Sequence, residues 1–90
     1  MNTTDASPTR EAAEYQVLVP ELAKGLQLVA IDLVRYCGIS MNTAYAALRG
    51  EVNLDTCWKI YAGLRRSGFK VEGVPVRWDH VVNFEQAEVV

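Results

Sequence analysis

The sequence predicts a mainly α fold, with four to five short helices in one small domain and a short C-terminal β-strand or hairpin. Three observations predict it. Gly38, Ile39 and Ser40 place a helix stop, an apolar plug and a helix start in three consecutive residues. Between Tyr15 and Leu64 the apolar residues recur at spacings of three and four, the period of a helix face. After Gly68 the period changes to two, as in a half-buried strand.

The 90 residues allow one such domain, and half of them are hydrophobic, enough for a single core. Met1 to Arg10 is polar and carries Pro8, so residues 1–10 are expected to form a disordered arm. Residues 11–68 make the helical domain and 69–90 a C-terminal β extension. No apolar run reaches the length of a membrane helix and no signal-peptide pattern opens the chain, so a cytoplasmic protein is expected.

Tyr15, Val19, Leu22 and Leu26 form the first helical stripe, and Pro20 interrupts it. Either the helix kinks there, or it begins at Pro20 and Tyr15 to Val19 is extended. It ends near Gln27. Leu28 and Val29 make a bend, and a second helix runs from about Ala30 to Cys37 with Ile31, Leu33, Val34 and Cys37 apolar. Gly38 then supplies the positive φ that a tight turn between helices needs. Ser40 caps a third helix, its hydroxyl accepting from the N–H of Asn42 or Thr43. That helix spans Met41 to about Leu48. It turns Ala44, Ala47 and Leu48 inward and leaves Met41, Asn42, Tyr45, Ala46 and Arg49 outward, and Gly50 ends it. Asp55 or Asn53 caps a fourth helix whose apolar contacts are Trp58, Ile60, Tyr61 and Leu64. Arg65 and Arg66 complement its negative end before Gly68 closes it. In the tail Val74, Val76, Trp78, His80, Val82 and Phe84 alternate with Pro75, Arg77, Asp79, Val81 and Asn83. This predicts one half-buried strand, with Phe69 to Val71 able to pair to it through a turn at Glu72-Gly73.

The net charge of −2 hides an uneven distribution. From Arg35 to Lys70 six basic residues (Arg35, Arg49, Lys59, Arg65, Arg66, Lys70) face two acidic ones (Glu51, Asp55), a local +4, while residues 1–34 and 71–90 each sum to −3. Phosphates respond to a local patch, not to the total. Cys37 and Cys57 sit in apolar helical patterns as small hydrophobes, and with His80 they form no zinc-ligand spacing. No metal, cofactor or small-molecule ligand is expected. An enzyme would need a nucleophile, a base and a pocket; Cys37, Cys57 and His80 are the only candidates, so no enzymatic activity is expected.

From about Leu22 to Leu64, roughly half the chain, the sequence resembles the Cro/CI-type, lambda-repressor-like helix-turn-helix regulators of phages, plasmids and bacteria. The matching elements are Leu33-Val34, Gly38-Ile39-Ser40, Arg49-Gly50-Glu51 and Leu54-Asp55-Thr56 with Ile60. The sequence departs from the family pattern at Ala30, where a phosphate-touching Gln is common, and at Ala46, often an Arg. The resemblance implies a DNA reader that places the start of the Met41 helix in the major groove. Asn42 is the leading base reader, because its amide can donate to and accept from adenine together. Thr43 and Met41 suit a thymine methyl, Tyr45 a sugar, thymine or phosphate, and Ala46 a close approach to the bases. Arg49, Lys59, Arg35 and Ser40 are the phosphate candidates.

One short recognition helix favours a homodimer on an inverted-repeat operator in double-stranded DNA. The face of the tail carrying Val76, Trp78, Val82 and Phe84 is the expected dimer surface. The function expected is a sequence-specific transcriptional repressor acting by occlusion. The alternative is a protein-interaction module, an antitoxin or co-regulator, with secondary DNA binding.

Overall fold

Pro20 decides how the chain begins. In the computed structural model, which describes residues 15–84, strand β1 (Tyr15–Val17) is extended and helix α1 (Val19–Leu26) starts with Pro20 in its first turn. There the missing N–H costs no helical bond. The polar arm expected at 1–10 and the last residues of the tail lie outside the described residues. Gln27 takes a left-handed φ of 61° and ends α1, with the Leu28 N–H returning to the Ala23 carbonyl at 2.8 Å.

Helix α2 (Ala30–Cys37) and helix α3 (Met41–Leu48) have the expected bounds and meet at Gly38, whose φ is +70°. Ser40 caps α3 by accepting from the Thr43 N–H at 3.1 Å. Ile39 is buried between the two helices. Helix α4 (Leu54–Arg66) is capped by Asn53, which accepts from the Thr56 N–H at 2.9 Å, so Asn53 and not Asp55 is the cap. Strands β2 (Lys70–Val71) and β3 (Val74–Pro75) form the expected hairpin, with Glu72 at φ 52° and Gly73 at φ 83° in the turn. Two successive positive φ values match the twist of a two-residue hairpin.

The rest of the tail is not the single strand expected from its alternation. Helix α5 (Trp78–Val81) interrupts it, and β4 (Val82–Phe84) then pairs antiparallel with β1, Tyr15 opposite Phe84 and Val17 opposite Val82. Two periods overlap in this stretch. Trp78, Val81 and Val82 also stand at i, i+3 and i+4, a helical spacing, and Val81, which a strand would turn outward, is fully buried. The His80 ring Nδ1 accepts the Arg77 N–H at 3.0 Å and steadies the start of the turn.

Among the described residues the fold is therefore mainly α, a helix-turn-helix within five helices, with short strands that pair β4 with β1. The core lies where α2 crosses α4 and where α1 and α5 close over it. Leu33, Ile60, Leu64, Cys57, Val76, Val81 and Val82 are among its most buried members. Burying a side chain such as Leu33 or Ile60 contributes roughly 1.5–3 kcal/mol. The two helices approach closely at Gly63, where a Cβ would stand 2.5 Å from the Tyr36 carbonyl oxygen. Among the described residues no helix is long and apolar enough to cross a membrane.

Candidate nucleic-acid interface

Helix α3 owes its placement to its alanines. Ala44 and Ala47 are fully buried and let α3 lie close on α2 and α1. The opposite face is thereby turned outward. Met41 and Tyr45 are 39% and 52% exposed, and Ser40, Asn42 and Arg49 are exposed too. Asn42, Tyr45 and Arg49 follow one another at three- and four-residue steps and share that face. Ala46 and Thr43 are half-buried. The Ser40 hydroxyl donates to the Thr43 hydroxyl at 2.9 Å while accepting the Thr43 N–H, so both side chains are engaged in the cap.

The cations expected to meet phosphates are exposed, but each already holds a carboxylate. Arg49 Nε lies 2.9 Å from Glu51 Oε1, Lys59 Nζ 3.6 Å from Asp55 Oδ2, and Arg35 Nη1 3.9 Å from Asp32 Oδ1. Asp32 also accepts the Val29 N–H at 2.9 Å and so caps α2. The remaining basic residues of the local +4 stand elsewhere, Arg65 and Arg66 in the last turn of α4 and Lys70 in β2. Arg65 donates to the Val76 carbonyl at 3.2 Å. Beside the C-terminal end of α3, an open groove of about 660 Å³ runs between β1 and the α3–α4 turn, lined by Val17, Pro20, Arg49 and Glu51.

The four residues expected to form a dimer surface are not brought together on one face. Val76 and Val82 are fully buried in the chain's own core, because β4 folds back on β1 and the Val76 N–H bonds to the Phe69 carbonyl. This corrects their assignment to an outward surface. Trp78 is half-buried against Trp58 and Tyr61, with ring centroids 5.5 and 5.7 Å away, and Phe84 is exposed beside Tyr15. Trp58, expected as an apolar contact of α4, is itself 55% exposed.

The sequence signals the ion pairs unevenly. The Asp32–Arg35 and Asp55–Lys59 pairs carry a signal, since opposite charges three or four apart on a helix face each other. The Arg49–Glu51 pair spans a helix end and carries none. Both thiols are buried. The Cys37 Sγ donates to the Ile60 carbonyl at 3.7 Å, and burial pushes its pKa up to about 11, against a smaller opposing pull from Arg66. Burial also raises the pKa of Cys57. Both are therefore protonated near neutral pH and behave as small core hydrophobes. No protein-family model, curated protein or solved structure matches the chain.

Proposed function

We propose that this chain is a sequence-specific DNA-binding repressor that acts in the cytoplasm. It would bind a palindromic operator as a homodimer and read bases with the helix that starts at Met41. The observation that carries this reading is α3 itself. It is capped by Ser40, seated by two buried alanines, and turns Met41, Asn42 and Tyr45 outward. A helix seated in this way, with an exposed polar and aromatic face, fits the major groove. The resemblance to Cro/CI-type regulators agrees with that placement. Of the expected dimer residues, Trp78 and Phe84 remain reachable and carry the homodimer proposal.

Selection of the purified protein on a random duplex library tests it. An inverted repeat should emerge, with half-sites about one helical turn apart. Asn42→Ala should keep the fold and lower discrimination at one base position by about 1–3 kcal/mol. Equal loss on every sequence removes Asn42 as a base reader, and failure to enrich any sequence overturns the proposal. The second reading, a protein-interaction module, draws on the exposed Trp58 packed with Tyr61 and Trp78. A stoichiometric protein partner that Trp58→Ala releases, without salt-sensitive DNA binding, would favour it.

A further inference from the structure

In the DNA-binding reading Arg49 and Lys59 meet phosphates. Resting on that reading, we propose that Glu51 and Asp55 are built-in competitors for those two cations, which hold down sequence-independent binding to duplex DNA. Arg49 Nε is occupied by Glu51 Oε1 at 2.9 Å, and Lys59 Nζ lies 3.6 Å from Asp55 Oδ2. Stability does not explain these pairs. Their side chains are 57–78% exposed, and exposed ion pairs contribute little to folding. Their effect is on what approaches from solvent.

Asp55 adds a second element. It stands in the first turn of α4, where the unpaired N–H groups and the helix dipole favour an anion. Asn53 already takes the Thr56 N–H there. A phosphate approaching Lys59 thus meets a carboxylate where a helix start would otherwise attract it. A phosphate approaching Arg49 must displace Glu51 or share the guanidinium with it. Every duplex offers phosphates, but only some sequences also offer base contacts to Asn42 and Tyr45. Weakened phosphate contacts leave random duplex poorly held, so retention comes to depend on the bases. The third pair, Asp32 with Arg35, has the same form at 3.9 Å, but Asp32 also caps α2 and is left in place in the test.

The test compares two double variants that change net charge equally. Glu51→Gln/Asp55→Asn removes the competitors. Glu21→Gln/Glu72→Gln removes carboxylates from the first turn of α1 and from the hairpin turn, neither of which pairs with a cation among the described residues. Binding to a short random-sequence duplex is measured across a salt series, with thermal melting as the check on folding. The first variant should gain affinity on the order of tenfold at low salt. Its dependence of log K on log salt should steepen by about 1–2, since each added phosphate contact contributes roughly 0.9. The second should leave the slope unchanged. An equal gain in both variants means bulk charge alone and overturns the proposal. If the wild type binds a selected inverted repeat but the first variant gains nothing, this inference falls and the DNA-binding reading stands. If no form holds any duplex even at low salt, both fall.

Discussion

The turn between α2 and α3 and the tail after Gly68 are held together by different kinds of contact. Around Gly38 the turn and capping hydrogen bonds are local. The Gly38 N–H reaches the Val34 carbonyl, Ser40 reaches Thr43, and Asp32 reaches Val29, all within four residues. The tail is fastened from afar. The Leu18 N–H donates to the Val81 carbonyl at 2.7 Å, Arg65 donates to Val76, Trp78 packs on Trp58, and Phe84 stands opposite Tyr15. A local device keeps its geometry while its own few residues keep theirs. A distant one exists only while the whole core exists, so damage to either partner is felt across the fold.

The sharpest break of this contrast is at Gly63, where the frame shared by both regions is tightest. A Cβ there would stand 2.5 Å from the Tyr36 carbonyl oxygen and 2.7 Å from the Cys37 Cα, both backbone atoms of α2 that cannot swing aside. Gly63→Ala should cost about 3 kcal/mol, read as a lower midpoint in urea unfolding. An unchanged midpoint would mean that α2 and α4 are less closely packed. Next come Val76→Ala and Val82→Ala, at about 2 kcal/mol each. The size separates two roles for the tail. Core residues lose stability equally at every protein concentration, whereas interface residues lose more in concentrated solution. Equal losses across a hundredfold dilution are expected.

What was legible in the sequence obeys the same division. Gly38, Ser40 and Ile39 announce the turn because each acts within a few residues. The Glu72-Gly73 hairpin is legible for the same reason, and the inward alanines of α3 by their helical period. The middle of the tail was not. Trp78, Val81 and Val82 satisfy a helical spacing inside a longer run of alternation, and only the distant partners Leu18, Trp58 and Tyr61 decide between the two. In the candidate interface the exposed residues of α3 could be read from periodicity, while the Arg49–Glu51 pair depends on how the chain leaves the helix at Gly50.

Smaller effects test the local side. Gly38 has open space where a Cβ would stand but a φ of +70°, so its constraint is conformational and not steric. Gly38→Ala should cost about 1 kcal/mol and Gly38→Asn less, because Asn enters the left-handed region more easily. Equal melting of both variants and the wild type would place the turn's constraint elsewhere. The smallest effect is a titration. The Arg77 guanidinium bonds both carboxylate oxygens of Asp79, at 3.2 and 2.7 Å, and holds its pKa below the usual carboxylate range. A depressed folded pKa gives a contribution that is present at neutral pH and lost as pH falls through that value. The pair is exposed, so NMR titration of the Asp79 carboxyl is the proper readout. Arg77→Ala should return it toward an ordinary Asp.

The pairing of β1 with β4 joins residue 15 to residue 84, the first and last of the described residues, and it bears on the order in which the molecule can assemble. During synthesis α1, α2, α3 and α4 leave the ribosome before the segment that covers their core. Val76, Val81 and Val82 arrive last, and the Leu18 N–H waits for Val81. Until they do, the core face of the helices lacks the cover that Val76, Val81 and Val82 give it in the folded protein. Among the described residues β4 is the final strand in chain order, and its pairing with β1 closes the longest span of sequence.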